Sequence, residues 1–289
     1  DPIPWYDEIW YSLYMQVDYH VNDRLKLVGG MQGNMPGSIK GGIVPRVGVI
    51  ASLNDHWTAK CLFGQAFRSP YQIERSMNVP GLVVGNPNLT PELVQTLDVQ
   101  LAYRTDDYRF AATYFHSNYF DLITRVGALP ETYVNLGGME IQGFELENEW
   151  QLSKRWRWLG SATYQNSLRN GNWNTTNAPL WMAKMGMTYN NRRGLNVALM
   201  DVFYGTCSVP DGATHVNPEP NEYHLASLNT TYDLNRYLGG PKNRKVQLQF
   251  LIQNLFNESI NHVEFQRQVI NTLPAGPGRT FYGGVTMAY

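Results

Sequence analysis

Three acidic side chains repeat at every second position in one short segment of this chain. Glu145, Glu147 and Glu149 are separated by single residues, so an extended strand would place all three carboxylates on one face. Such a stack could guide a cation, or it could form a hydrated wall that contacts another part of the protein. We expect the wall, because apolar residues alternate with the acids and give the same strand an opposite, dry face: Phe144, Leu146 and Trp150.

No spacing of nucleophile and base indicates an enzyme. The six histidines occur singly, and no Ser or Cys stands near a candidate base. Asp106 and Asp107 fall in an expected tight turn, where Asp is favoured for backbone reasons. His262 and Glu264 could offer two metal ligands from one strand face, but a solvated loop is the preferred interpretation. We therefore expect no catalytic residue, no metal site and no cofactor.

Aromatic and basic residues in the long connecting segments are the candidates for ligand binding. Stacking and cation–π contact would let them hold an aromatic or anionic chelate. The alternative for any one of them is interfacial anchoring, since Tyr and Trp favour places where one end of the ring is dry and the other wet. The candidates are Tyr71, Arg75, Tyr133, Trp173 and His215.

These residues must be positioned by strands, because apolar and polar residues alternate along about thirteen segments of the chain. Alternation with period two predicts strands with two different faces. The predicted strands are 11–21, 25–32, 44–53, 57–67, 93–104, 108–123, 133–152, 155–166, 180–189, 195–204, 223–234, 245–255 and 280–289.

The connections between these strands alternate between tight turns and long loops. Segments such as 22–24, 54–56 and 105–107 are short enough for hairpins, whereas 68–92 and 256–279 are long. Short turns on one side and long loops on the other are typical of bacterial outer-membrane barrels. A soluble propeller or sandwich would not need this order, and no period of 40–50 residues repeats as a propeller blade would. The pattern predicts an all-β chain that forms a transmembrane antiparallel β-barrel wall.

Composition agrees with a barrel wall that has a lipid face and a wet face. The chain has 18 Tyr, 8 Trp and 11 Phe but only 16% charged residues, and Tyr and Trp are enriched at membrane interfaces. No run of about 20 apolar residues could form a membrane-spanning helix. The net charge of −1 implies no nucleic-acid partner. Cys61 and Cys207 are expected to be unpaired.

The alternation assigns the two faces of individual strands. In the first strand, Leu13, Met15 and Val17 should contact lipid, with Gln16 and Asp18 on the lumen side. The last strand should place Phe281, Val285, Met287 and Tyr289 on the lipid side. With the short turns periplasmic, Tyr289 would lie at the periplasmic rim.

Several short motifs occur in a fixed order along the chain. They are Gly64-Gln65-Ala66-Phe67-Arg68-Ser69-Pro70, then Gly85-Asn86-Pro87-Asn88-Leu89-Thr90-Pro91-Glu92, then Tyr133-Val134-Asn135-Leu136-Gly137-Gly138, Ile141-Gln142-Gly143-Phe144-Glu145 and Gln253-Asn254-Leu255-Phe256-Asn257. This set resembles the C-terminal half of the barrel of TonB-dependent outer-membrane receptors, and the resemblance covers essentially the whole chain. For each motif we expect a structural role rather than direct ligand contact.

The resemblance implies a larger protein than this chain. The family has a barrel of about 22 strands and an N-terminal plug that engages TonB. About thirteen strands would not close alone, because open sheet edges are not tolerated in lipid. We therefore interpret residues 1–289 as the C-terminal portion of such a barrel, without a second domain. The rest of the receptor would be another segment or chain that pairs with both edges.

The resemblance also implies a function: uptake of a ferric siderophore, or of a cobalamin-like ligand, energised through TonB at the missing plug. A structural wall in a larger outer-membrane assembly, without transport, is the competing hypothesis. In either case the partners are outer-membrane lipid and the remaining receptor. The family ends in a strand with a terminal aromatic that the outer-membrane assembly machinery reads, so we expect Phe281 and Tyr289 to belong to an assembly signal.

Overall fold

The computed structural model describes residues 7–37, 39–169, 172–173, 178–209, 212–235, 245–264 and 269–288. In chain order its elements are β1 (Trp10–Asn22), β2 (Leu25–Pro36), β3 (Gly42–Ser52), β4 (Trp57–Arg68), α1 (Gln72–Ser76), β5 (Asn78–Val79), β6 (Val83–Val84), β7 (Glu92–Arg104), β8 (Tyr108–Phe120), β9 (Ile123–Val126), β10 (Glu131–Asn135), β11 (Met139–Trp150), β12 (Trp156–Arg169), β13 (Asn172–Trp173), β14 (Trp181–Asn190), β15 (Leu195–Tyr204), β16 (Tyr223–His224), β17 (Ser227–Asp233), β18 (Lys245–Gln253), β19 (Asn261–Val263), β20 (Thr272–Pro274) and β21 (Thr280–Ala288).

Thirteen strands follow one another through a single sheet, as the alternation predicted. The order is β1-β2-β3-β4-β7-β8-β11-β12-β14-β15-β17-β18-β21, so each strand lies beside the next long strand of the chain. Neighbours such as β1 and β2, or β18 and β21, are antiparallel. Among the described strands, β1 has a neighbour on one edge only, and so does β21. The all-β prediction and the strand count are confirmed.

The chain divides into two compact units that both draw on the middle strands. One unit contains residues 1–101, 113–143 and 166–173, and the other contains 102–112, 144–165 and 174–289. The first unit holds a small sheet of order β5-β6-β10-β9, and the second holds the β19-β20 hairpin. Each unit therefore combines wall strands with ordered structure between them.

Register shows that each sheet face keeps one character across neighbouring strands. In the first unit, Val17, Gly29, Val47 and Phe63 are successive partners, and Gln16, Gly30, Arg46 and Gly64 form the next row on the other side. In the second unit, Leu199, Leu228, Ile252 and Phe281 pair in sequence. We call these sides the apolar face and the polar face. In a membrane the apolar face contacts lipid, because unpaired polar groups are costly there.

Aromatic pairs occur at both ends of the apolar face in the second unit. Trp156 and Tyr189, next to a short turn, have ring centroids 4.6 Å apart. Tyr164 and Trp181, at the opposite ends of the same two strands, are 4.8 Å apart. Aromatic rings at both ends of the same two strands match the two interfacial girdles of an outer-membrane barrel.

Two of the predicted strands are interrupted by residues with a positive φ. The strand predicted over 133–152 is divided into β10 and β11, because Gly137 adopts a φ of 89° and turns the chain between them. The strand predicted over 108–123 ends at Phe120, because Asp121 has a φ of 55°. Alternating polarity continues across both breaks, so the pattern alone could not locate them.

The described residues also include a short helix and two cysteines. α1 has five residues, and none of the helices among the described residues is long and apolar enough to cross a membrane. Cys61 and Cys207 are both free thiols, as expected from their positions in the sequence.

Candidate functional site

Arg68, the last residue of β4, joins two carboxylates from different parts of the following loop. Its Nε and Nη2 donate to Glu92 at 2.7 and 2.8 Å, and its Nη1 and Nη2 donate to Glu74 at 2.9 and 3.2 Å. A guanidinium fork matches two carboxylate oxygens at once. The Glu74 and Glu92 side chains are only 13% and 16% exposed. Arg68 therefore fixes α1 against the start of β7.

The same two carboxylates also accept backbone hydrogen bonds. The Tyr71 amide donates to Glu74 at 2.7 Å, which caps α1 at its start. The Ile123 amide donates to Glu92 at 2.6 Å. These contacts connect the loop before β7 to the segment after β8. Because their oxygens are already occupied, both carboxylates serve the loop structure.

Two asparagines of the sequence motifs hold the rest of this region together. Asn86 donates from Nδ2 to the Tyr133 carbonyl at 2.9 Å. Asn135 donates to the carbonyls of Thr90 and Asp121 and accepts from the Thr90 amide, each at 2.8 Å. We call residues 68–92 and 121–137, with the β5-β6-β10-β9 sheet, the loop platform. Its motif residues make structural hydrogen bonds, as expected from the sequence.

Three of the residues predicted to bind ligand lie on the loop platform. Tyr71 is 62% exposed, and the Arg68 guanidinium lies over its ring at 5.0 Å. Arg75 is in α1 itself, four residues further on. Tyr133 is in β10, where its backbone carbonyl is engaged by Asn86. The platform thus places Tyr71 at the N-cap of the short helix that contains Arg75, while their contact with a ligand stays a prediction.

The other two predicted ligand residues lie elsewhere. Trp173 is in β13, which pairs with the end of β12 through Leu168. His215 lies in the second unit, where its Nδ1 is 2.6 Å from an oxygen of Glu219. The hydrogen bond with His215 holds the pKa of Glu219 below its ordinary value. Ligand contact by either residue stays a prediction.

A second ordered loop region surrounds His215. Asn271 and Thr272 have no exposed surface. Asn271 accepts from the Val216 and Asn217 amides at 3.2 and 3.1 Å, and Thr272 donates to the Pro218 carbonyl at 2.6 Å. Backbone groups thus supply the hydrogen-bond partners that these buried side chains need. We call residues 212–219 and 269–274 the second loop cluster.

Sequence reasoning missed an aromatic cluster in the second unit. The rings of Tyr204 and Tyr223 are stacked with centroids 5.5 Å apart, and His262 meets both edge-on at 6.0 and 5.9 Å. Nearby in the loop after Tyr204, burial raises the pKa of the Cys207 thiol. Tyr204 and Tyr223 were recognisable as strand ends, but nothing in the sequence indicated that His262 joins them.

The acidic stack of β11 faces basic residues from its neighbours. Arg157 donates to Glu149 at 2.6 Å, and an Arg109 nitrogen lies 3.6 Å from the same carboxylate. Glu147 and Glu149 also line a groove of about 480 Å³ with Arg104, Ser161 and Lys184. Mixed charge suits a contacting wall better than a cation path. The lumen position of Glu145, Glu147 and Glu149 stays a prediction.

The last strand, β21, pairs with β18 in a register that places Phe281 on the apolar face. Phe281 pairs with Ile252 and is 60% exposed on the apolar face. Tyr289 lies outside the described residues. The assembly role of these two residues stays a prediction.

No group of three or more His, Cys, Asp or Glu side chains among the described residues could hold a metal ion. His262 and Glu264 differ in surroundings, since His262 is exposed and Glu264 is 8% exposed. Glu264 accepts from the Val269 amide at 3.3 Å. The geometry of this pair therefore favours a loop role.

Comparison with known proteins gives a family and a fold. A family model described as TonB dependent receptor-like, beta-barrel matches residues 1–255. Similar solved structures include the siderophore receptor PirA from Pseudomonas aeruginosa (16% identity, TM-score 0.73, 97% of this chain and 48% of that one) and the enterobactin complex of a mutant of the ferric enterobactin receptor PfeA from the same organism (18%, 0.78, 97% and 45%). The copper transporter OprC is also similar (19%, 0.74, 98% and 48%). The chain thus spans less than half the length of each. No match was found among curated proteins.

Proposed function

This chain belongs to the TonB-dependent receptor-like β-barrel family, and from that premise we propose that it is the C-terminal part of a receptor that imports a bulky, scarce nutrient. The family consists of outer-membrane receptors and not of enzymes. A ferric siderophore is the first candidate ligand and a cobalamin-like molecule the second. One similar structure is named a siderophore receptor and another a ferric enterobactin receptor, which supports this order.

The loop platform is the observation that carries the proposal. A bulky ligand is recognised best by side chains on a support that is ordered before binding, because less freedom is then lost. Arg68 holds that support rigid through two carboxylates, while the Tyr71 ring remains 62% exposed. An exposed ring on an ordered support suits stacking against an aromatic chelate.

Energy coupling would come from outside this chain. We propose that residues 1–289 line the barrel without a second domain, and that TonB acts through a plug in the remaining receptor. The single-sided edges of β1 and β21 support pairing with strands of that remainder. Short turns at the periplasmic side would put the C-terminus there as well.

A structural wall without transport is the alternative. Its support is that thirteen strands leave two sheet edges open, which another protein of an outer-membrane assembly could cover. The polypeptide encoded around this chain distinguishes the two, because transport requires a plug and the missing strands.

Uptake by a deletion strain tests the proposal. The strain is complemented with the whole receptor, and labelled iron from individual ferric siderophores and labelled cobalamin are followed. We expect uptake of at least one ligand, and Tyr71→Ala should weaken its binding about tenfold, the loss expected for one stacking ring. Tyr19→Ala is the matched control, because Tyr19 is 61% exposed and lies toward the end of β1 opposite to the loop platform. Uptake of none of these ligands at normal receptor levels would favour the structural wall.

A further inference from the structure

Arg46 has glycine on both sides of it in its row of the polar face. Gln16, Gly30, Arg46 and Gly64 are successive partners across β1 to β4. The guanidinium therefore has no side chain directly beside it on either neighbouring strand. A long cation flanked in this way can lie across the sheet surface.

The side chain of Arg46 contacts two neighbours on the polar face. Its Cγ lies 3.2 Å from where a Cβ on Gly30 would be, so its aliphatic stem covers that glycine. Its guanidinium lies 5.0 Å from the centre of the Tyr14 ring. Tyr14 in turn donates from its hydroxyl to Gln16, and Gln16 donates to Asp18 at 2.9 Å. Gly30 and Tyr14 thus already restrict part of the freedom that binding would otherwise take from Arg46.

The charge of Arg46 is not neutralised by the described residues. No carboxylate among them lies within 4.0 Å of its guanidinium nitrogens. The nearest acid along β1, Asp18, is paired with Lys26 at 2.6 Å. The positive charge on this part of the polar face is therefore available to a further anion.

A groove of about 480 Å³ gives access to that charge. It is lined by Gln16, Arg46, Gly48, Gly64, Thr96 and Asp98. A Cβ placed on Gly64 would meet nothing within 4 Å, so the groove is open next to the guanidinium. Asp98 lines the same groove, so an anion there would be held nearer to Arg46 than to Asp98.

We propose that Arg46 and Tyr14 form an oxyanion-binding site on the polar face of the barrel wall. The cation–π contact with Tyr14 uses the π face of the ring and none of the guanidinium N–H groups, which stay available to hold a carboxylate or a phosphate in a bidentate manner. The anion has two possible sources: a carboxylate side chain from the rest of the receptor, or a small anion that diffuses into the barrel.

Arginine-specific modification of the whole purified receptor with phenylglyoxal tests the site. The rate at Arg46, measured by peptide mass spectrometry, is compared with the rate at Arg24, which lies in an exposed turn. A diffusing anion predicts that millimolar citrate or inorganic phosphate slows modification of Arg46 about tenfold and leaves Arg24 unchanged. Gly64→Val, which fills the groove and keeps Arg46, should abolish this protection.

An internal carboxylate predicts a different result. Arg46 would then be protected without added anion, and Arg46→Gln would lower the unfolding midpoint of the receptor. Lys60→Gln is the matched control. Lys60 lies on β4, on the same polar face as Arg46 but outside the groove, so the change also removes one positive charge from that face.

Two results would overturn the site. One is modification of Arg46 as fast as Arg24 with no effect of citrate or phosphate. The other is a protected Arg46 whose Gln variant is no less stable than Lys60→Gln, because coverage without an anion would explain it. The inference needs the barrel fold and not transport, so its failure would leave the proposed function untouched.

Discussion

Asp201 is a carboxylate on the apolar face of β15. It pairs with Met185, which lies midway between Trp181 and Tyr189 on β14. Charged groups on a lipid-facing surface are destabilising, and more so toward mid-depth. His224 offsets part of this destabilisation, because its Nδ1 lies 2.7 Å from Asp201 Oδ2. The other oxygen of Asp201 is buried without a hydrogen-bond partner, so the pair depends on this one contact.

Removing His224 should therefore cost more than removing the pair. We expect His224→Leu to lower the free energy of unfolding from lipid by about 1–3 kcal/mol, because it leaves a buried carboxylate unpaired. The double variant Asp201→Leu with His224→Leu should recover most of the loss. Denaturant titration of the receptor folded into vesicles measures all three proteins. A double variant that is no more stable than His224→Leu alone would show that the two side chains do not act as a pair.

The contact between His215 and Glu219 should make the second loop cluster sensitive to acid. Because the folded pKa of Glu219 is lowered, its contribution is complete above the ordinary value of about 4.3 and is lost as the pH falls below that value. Hydrogen exchange of the amides of residues 214–217 reports it. We expect wild-type protein to be more protected than Glu219→Gln at about pH 6, and this difference to shrink as the pH falls toward about 3. The same difference at both pH values would contradict this assignment.

At the scale of elements, strand positions were readable from the sequence because each wall strand has two chemically different faces. Turns such as 22–24 and 54–56 were readable as well, since Asn side chains there accept local backbone amides. The loops were not readable. The loop platform depends on contacts between distant residues, such as Arg68 with Glu92 and Asn86 with Tyr133. No periodicity encodes such pairs, so motif resemblance was the only signal for them.

Gly85 packs closely against the backbone of α1 in the loop platform. A Cβ there would lie 2.6 Å from backbone atoms of Arg75 and Ser76, and its amide donates to the Met77 carbonyl at 2.6 Å. Gly85→Ala should therefore push α1 away and reduce local stability by about 1–3 kcal/mol. Exchange of the amides of residues 73–77 measures it.

Gly29→Ala is the control for this variant, because a Cβ at Gly29 meets nothing within 4 Å. It adds the same methyl group to a wall strand of the same unit. If Gly85→Ala left exchange in α1 at the level of the control, the segment around Gly85 would not support the helix.

At the scale of the whole molecule, the described thirteen-strand sheet ends in two edge strands, β1 and β21. β1 begins with exposed aromatic and apolar residues, and its Tyr11 and Leu13 are 69% and 78% exposed. β21 pairs along its full length with β18, from Lys245 with Ala288 to Gln253 with Thr280. An unpaired strand edge is a template for another strand. Within a membrane both edges need partners, which agrees with a chain that spans less than half of its similar structures.

The terminal aromatic, Tyr289, concerns the whole molecule, because we expect it to act during assembly, before the barrel closes. Phe281, Val285 and Met287 share the apolar face through Ile252, Leu248 and Val246, and continued alternation would put Tyr289 there too. An edge strand with a final ring can add to another sheet and place the ring in an apolar site. Loss of one interfacial ring removes about 1–3 kcal/mol of burial, which is small for a large barrel.

Deleting Tyr289 should therefore lower the amount of receptor inserted in the membrane far more than the stability of what is inserted. Inserted receptor and its resistance to heat are measured together, and Met287→Ala serves as the control that trims the same face without removing the final ring. Assembly recognition predicts poor insertion and near-normal heat resistance for the deletion, because the ring would be needed by the partner sheet and not by the finished wall. Normal insertion with reduced heat resistance would instead make Tyr289 an anchor in the periplasmic interface.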